Sequence, residues 1–290
     1  MIKIIAIDMD GTLLNNEGKI TAKNAAAIRK YQEQGGHVVI NTGRAFPMAA
    51  KIIRAAGISC DYICLNGAAV YNAEGTCLSS DAMPYEDIRL LRHLEQKYRV
   101  FVDYLTSEGA QTSGTRAFTE EHYIYQAFTM AEEAGKSTTK DAALARFQSI
   151  LNSIQYECDI ESLIKQGVSF FKVVIVAMDP HILSEIKTLL KDMPQFAVSS
   201  SFKTNIEVTA SHVDKGRTLI DYAAAKGISM DEIMVIGDSE NDLAMLNKPF
   251  GKTVAMGNAE DDIKDICSEV TLSNEEDGVA WAIEKNNLKL

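Results

Sequence analysis

The sequence predicts an α/β fold: a parallel sheet with crossover helices, interrupted by an inserted α+β domain. Two patterns and a length carry this reading. Short apolar runs alternate with helix-like segments over residues 1–80, and the same rhythm resumes at the end of the chain after a middle stretch of different character. At 290 residues, and roughly 150 residues per domain, about two domains are expected.

Ile2 to Ile7 reads as a buried strand, and Thr21 to Gln34 as a helix with Thr21 near its cap and Gly35 and Gly36 behind it. His37 to Asn41 is a second strand, Pro47 to Ala56 a helix stopped by Gly57, and Tyr62 to Leu65 a third strand. Alternation of this kind points to parallel strands joined by helices. From about Met83 to Thr204 the pattern changes. Helical segments near Glu86 to Tyr98, Lys140 to Ser153 and Pro180 to Lys191 mix with strand-like Val100 to Tyr104 and Phe170 to Ala177, and the polar run Gly135 to Asp141 reads as a surface loop. Asn205 to Val208 is assigned as the run that leads back into the core. A helix near Gly216 to Lys226, a strand at Ile233 to Ile236, a helix near Asp242 to Leu246, strands near Thr253 to Met256 and Val270 to Leu272, and a helix from Gly278 to Lys285 complete it.

Composition narrows the function. Forty acidic against 29 basic residues give a net charge of −11, spread along the chain, which argues against a nucleic-acid or anionic-membrane binder. The longest strongly apolar stretch, Val168 to Met178, is interrupted by Ser169 and Lys172, far short of the roughly 18 residues a membrane helix requires. The N-terminus reaches Asp8 after a few apolar residues and lacks the apolar region of a secretory signal. Five cysteines without a Cys-x-x-Cys pair suit reduced thiols. A cytoplasmic location is expected. The five histidines, His37, His93, His122, His181 and His212, share no metal-ligand spacing.

Four strand-like runs end in polar residues: Asp8-Met9-Asp10-Gly11-Thr12, Asn41-Thr42-Gly43-Arg44, Asn66-Gly67, and Gly237-Asp238-Ser239-Glu240-Asn241-Asp242. In an open parallel sheet the carboxyl ends of the strands lie together at one edge, so these segments are expected to build one site. Clustered carboxylates repel one another and a phosphate alike, and the arrangement makes sense around a hard divalent cation such as Mg²⁺. Asp8 and Asp10 alone could be turn or capping acids, Asn66-Gly67 alone is a turn dipeptide, and Lys215 alone would be a solvated lysine. Only the ensemble lifts them.

Asp8-Met9-Asp10-Gly11-Thr12-Leu13-Leu14, Thr42-Gly43-Arg44, Asp214-Lys215-Gly216 and Gly237-Asp238 with Asn241-Asp242 resemble the four motifs of the haloacid dehalogenase superfamily, and Asn66-Gly67 matches a further feature of its Cof-type sugar-phosphate phosphatases. The motifs cover both flanks with no departure among them, and the resemblance is weak across the middle. It implies a Rossmann-like core over residues 1–82 and 205–290 and an α+β cap of type IIB over 83–204, where substrate choice would reside. It implies Asp8 as nucleophile, Asp10 as general acid and base, and Asp8, Asp238 and the main-chain carbonyl of Asp10 as ligands of Mg²⁺. Thr42, Gly43, Lys215 and Asn241 would bind phosphate, and Asn66 and Gly67 substrate. Arg44 reads equally as an ion-paired surface residue and stands outside the catalytic set. Arg116, His122 and Lys172, and the aromatics Phe118, Tyr123, Tyr125 and Phe128, are open between structural parts and substrate contact.

The expected activity is hydrolysis of small phosphorylated metabolites by a monomer or small homo-oligomer. A phosphomutase sharing the phosphoaspartate, or a phosphosugar-binding regulator without turnover, are the alternatives. A mere binder needs neither a nucleophile nor an acid, so Asp8 and Asp10 speak against the last.

Overall fold

The computed structural model describes residues 1–133 and 135–286. They form two compact units, one from Met1–Asp81 with the chain from Val213 onward, the other from Ala82–His212.

In the first unit β1 (Ile4–Ile7), α1 (Ala22–Glu33), β2 (His37–Asn41), α2 (Phe46–Ala55) and β3 (Asp61–Cys64) follow the expected alternation. The Thr21 side chain accepts a hydrogen bond from the Asn24 amide and starts α1. Two short antiparallel strands not read from the sequence, β4 (Ala69–Tyr71) and β5 (Cys77–Ser80), extend the sheet beyond β3. The insertion therefore leaves after β5, close to the expected boundary at residue 82.

The second unit holds α3 (Tyr85–Tyr98), β6 (Phe101–Thr106), β7 (Gly109–Gln111), α4 (Arg116–Glu133), α5 (Lys140–Leu151), β8 (Ile154–Gln155), α6 (Ile160–Lys165), β9 (Phe170–Val176), α7 (Pro180–Lys191), β10 (Phe196–Ser199) and β11 (Asn205–Ala210). Its sheet runs β10-β11-β9-β6-β7-β8. β11 pairs antiparallel with β9 and β10, so the expected core boundary at residue 205 is corrected: the chain returns at Val213. A short, fully buried apolar run fits either sheet, and only its neighbours decide. Lys140 and Asp141, where the expected loop and the expected helix overlap, open α5, because Thr139 caps it by accepting from the Ala142 amide. Of the grouped aromatics, Phe118 and Tyr123 pack against Phe101, Ile154 and Val176, while Phe128 is exposed.

Returning to the first unit, the chain forms α8 (Lys215–Ala225), β12 (Ile233–Gly237), α9 (Leu243–Leu246), β13 (Lys252–Ala255), α10 (Asp261–Ile266), β14 (Glu269–Val270) and α11 (Gly278–Lys285). Its sheet order is β14-β13-β12-β1-β2-β3-β4-β5, parallel from β14 to β3. β1 is buried at all four residues, as expected of a parallel strand covered on both faces. Ile7 pairs with Ile236 of β12 and Ile40 of β2. That register sets Asp8, Thr42 and Asp238 at neighbouring strand ends, at a switch point of the sheet.

Candidate active site

Asp8 follows β1 and is 3% exposed. Facing it is Lys215, the first residue of α8, whose Nζ donates to Asp8 Oδ1 at 2.6 Å and to Asp242 Oδ1 at 2.7 Å. Asp214 caps that helix by accepting from the Arg217 amide at 2.7 Å, which places the Lys215 stem at the helix start. A cation there works against the helix dipole, so the two carboxylates must offset both the dipole and the loss of water. Gly216 allows the approach, since a Cβ would stand 2.0 Å from the Ala244 carbonyl oxygen.

Asp238 follows β12 and accepts from the Thr12 hydroxyl at 2.6 Å. Gly11, at φ +80°, passes so close that a Cβ would lie 2.2 Å from Asp238 Oδ2. Asp242 accepts on Oδ2 from the amides of Asp238 and Ser239 at 3.0 and 3.2 Å. With Oδ1 on Lys215, both its oxygens are committed. Asp8 and Asp238 each use Oδ1 in these bonds.

Oxygens of Asp8, Asp238 and Asp242 lie within 4.8 Å of one another. Burial pushes Asp8 well above the usual carboxylate range, helped by Asp242, Asp238 and Asp10 and opposed by Lys215. Burial and then Asp242 push Asp238 up to about 7. Burial works against the Lys215 ammonium, but Asp242 and Asp8 outweigh it and hold its pKa above the ordinary lysine value. One ammonium among three acids leaves negative charge in excess. A hard, oxygen-seeking divalent cation fits this donor set.

Asp10 stands apart. Its side chain is 59% exposed, and its oxygens accept from Arg44 Nε at 2.7 Å and Arg44 Nη2 at 2.6 Å. Its carboxylate is not among the three clustered acids, and the expectation for this residue named its main-chain carbonyl as the metal contact. Thr42 is buried and its hydroxyl accepts from the Arg44 amide at 3.2 Å. The carbonyl of Thr42 accepts from the Asn66 amide at 3.1 Å, and that of Gly67 from the Thr218 hydroxyl at 2.9 Å. Asn66 and Gly67, at φ +58° and +108°, thus tie the end of β2 to the first turn of α8. Gly43 is half-buried beside them. Asn241 accepts from the Ser239 hydroxyl at 2.9 Å and braces the loop carrying Asp238.

Sequence reasoning missed two connections: the Thr12 bond to Asp238 and the pairing of Arg44 with Asp10. Both residues lie inside recognised motifs, which is the signal that could have found them. In the second unit, Arg116 pairs with Glu120, His122 Nδ1 lies 2.8 Å from the Phe118 carbonyl oxygen, and buried Lys172 pairs with Glu207 at 2.7 Å.

A family model described as haloacid dehalogenase-like hydrolase matches residues 5–283. The phosphatase YwpJ of Bacillus subtilis is 33% identical over 96% of this chain and 98% of its own length. The 5-amino-6-(5-phospho-D-ribitylamino)uracil phosphatase YwtE of the same organism is 30% identical over 98% of each. The structure of a haloacid dehalogenase-like hydrolase from B. subtilis superposes with a TM-score of 0.85 at 28% identity, covering 98% of this chain and 99% of that one.

Proposed function

The chain belongs to the haloacid dehalogenase-like hydrolase family and is a phosphatase of its Cof-type branch, and from that premise we propose that it hydrolyses small phosphorylated metabolites, sugar phosphates foremost, through an aspartyl-phosphate on Asp8 with Mg²⁺ as cofactor. The buried chain Asp8–Lys215–Asp242 beside Asp238 carries the reading. It supplies a held nucleophile and the donor set for a cation.

In the first displacement an Asp8 oxygen attacks phosphorus, the bond from phosphorus to the ester oxygen breaks, and Asp10 gives that oxygen a proton. In the second, water attacks phosphorus, the bond to Asp8 breaks, and Asp10 takes the proton from water. Inorganic phosphate leaves and both acids are restored. Lys215 orients Asp8 with one proton and Asp242 with a second, and its third meets a phosphoryl oxygen. Thr42, Gly43 and Asn241 complete the phosphate contacts, and Asn66 and Gly67 border the leaving group. Mg²⁺ held by Asp8, Asp238 and the Asp10 carbonyl would offset the repulsion between nucleophile and phosphate.

The name of YwtE gives that protein a ribityl phosphate ester as substrate, and likeness over nearly the whole chain supports a sugar-like alcohol as the leaving group here. We place the protein in the cytoplasm, as a monomer or small homo-oligomer with neither nucleic acid nor membrane as partner. Its net charge of −11 speaks against nucleic acid and anionic membranes as partners, and among the described residues no helix is long and apolar enough to cross a membrane. The test is turnover of a panel of phosphate esters, with and without Mg²⁺, by the parent and Asp8→Asn. Phosphate release by the parent with Mg²⁺, lost in the folded variant, is expected. Normal release by Asp8→Asn overturns the nucleophile, transfer to a sugar hydroxyl indicates a mutase, and binding without turnover a regulator.

A further inference from the structure

Resting on the reading of Asp10 as acid and base, we propose that Arg44 is its positioning residue, a guanidinium clamp that sets where the Asp10 carboxylate stands relative to Asp8. A general acid must be held within a fraction of an ångström of its working position, yet the Asp10 side chain is 59% exposed and free in principle to sample several rotamers. Among the described residues, Arg44 is the side chain that hydrogen-bonds it. The contact is a fork, Nε to Oδ2 at 2.7 Å and Nη2 to Oδ1 at 2.6 Å, which fixes the plane of the carboxylate as well as its distance.

The clamp is itself anchored. The Arg44 amide donates to Thr42 Oγ1 at 3.2 Å, and its carbonyl accepts from the Leu65 amide at 3.1 Å. Its root therefore lies in the loop that carries the phosphate-binding threonine, and its tip on the acid. An exposed ion pair contributes little to stability, and a lysine in its place, a point charge without the planar fork, could not hold both oxygens alike. Two of the guanidinium nitrogens are already on Asp10, which argues against a main part in gripping a second anionic group of the substrate.

The experiment compares a sugar phosphate, whose alkoxide needs a proton, with p-nitrophenyl phosphate, whose leaving group needs little. It uses Arg44→Ala, Arg44→Gln, Arg44→Lys, Asp10→Asn and the double variant Asp10→Asn with Arg44→Ala, all loaded with Mg²⁺. General acids contribute ~10²–10⁴-fold, so loss of the clamp should lower kcat/KM, which reports the first displacement alone, by about tenfold or more on the sugar phosphate and far less on the aryl ester, while kcat falls on both because Asp10 is also the base of the second displacement. Arg44→Lys should not recover the loss. Added guanidinium ion should restore part of it in Arg44→Ala, and Arg44→Ala should cost nothing further in the Asp10→Asn background. Equal losses of kcat/KM on both esters, a full additional loss in the double variant, or a rise in KM at unchanged kcat would overturn the clamp. Arg44→Gln, which keeps the stem, carries the same comparison where Arg44→Ala does not fold. Asp10→Asn lowering kcat/KM equally on both esters would instead refute Asp10 as the acid, so the two failures are distinct.

Discussion

Lys215→Met removes the ammonium at the centre of the site while keeping most of its stem, and its cost follows from the geometry. The Lys215 side chain is 0% exposed and lies 2.6 Å from Asp8 and 2.7 Å from Asp242, themselves 4% and 0% exposed. Taking one partner from a buried ion pair destabilises by about 3–5 kcal/mol, and here two carboxylates lose their compensation at once. The loss depends on pH. Asp8 and Asp238 have raised pKa values, so the folded state holds their protons more tightly than the unfolded chain does. That stabilising contribution is fully present below the unfolded value of 3.8 and fades as pH rises through the folded value, about 7 for Asp238. Lys215 is raised above 10.5 and stays charged throughout that window. The variant should therefore lose about 3–5 kcal/mol at pH 8 in chelator, and less than half as much at pH 5, where protonation relieves the repulsion, at ~1.4 kcal/mol per unit of pKa shift. Urea unfolding of the two proteins at both pH values measures this, and saturating Mg²⁺ should narrow the gap at pH 8. A pH 8 loss below about 1 kcal/mol, or a larger loss at pH 5, would refute the electrostatic account.

EDTA should abolish turnover and Mg²⁺ restore it, with Ca²⁺ a poor substitute because its looser shell holds nucleophile and phosphate in the wrong relation; Asp238→Ala should raise the Mg²⁺ needed for half activity, read by titration against initial rate. Gly11→Ala should lower kcat by about tenfold or more, since it strains φ +80° and drives a methyl group into the Asp238 carboxylate; parent-like kinetics would show that the loop yields freely. In the second unit, burial pushes Asp103 up to about 7 against the pull of Lys172. Its protonated form stabilises the fold below its ordinary value and that contribution fades through pH 7, so Asp103→Asn should gain on the parent by up to about 4 kcal/mol between pH 4 and 8. Thermal melts that move in parallel across that range would show that Asp103 is not strained by burial.

How much could be read in advance differs from element to element. Asp8, Thr42 and Asp238 were legible because each stands at, or one residue beyond, the end of an apolar run, and the polarity of a parallel sheet brings such ends to one edge whatever the loops do. Lys215 was legible as part of a motif, although its neighbours in space lie 207 and 27 positions away. α4 went unread because its buried residues include Thr119, His122 and Gln126, polar side chains at helical spacing that hide the stripe an amphipathic helix normally shows. β5 is exposed along its whole length and offers no alternation to read.

The local chemistry was thus set by residue order: which side chains end which strands, where α8 begins, and which glycines permit close passage. Only the folded chain decided that Asn205–Ala210 joins the sheet of the second unit, that Asp242 spends both oxygens holding Lys215 and the Asp238 loop, and that Arg44 reaches Asp10 across 34 positions. The division has one physical cause. Periodicity and turn chemistry act over a few residues and are written in order along the chain, whereas strand neighbours and ion pairs are chosen by packing among segments far apart in sequence, where the same apolar run or the same arginine suits several partners equally well.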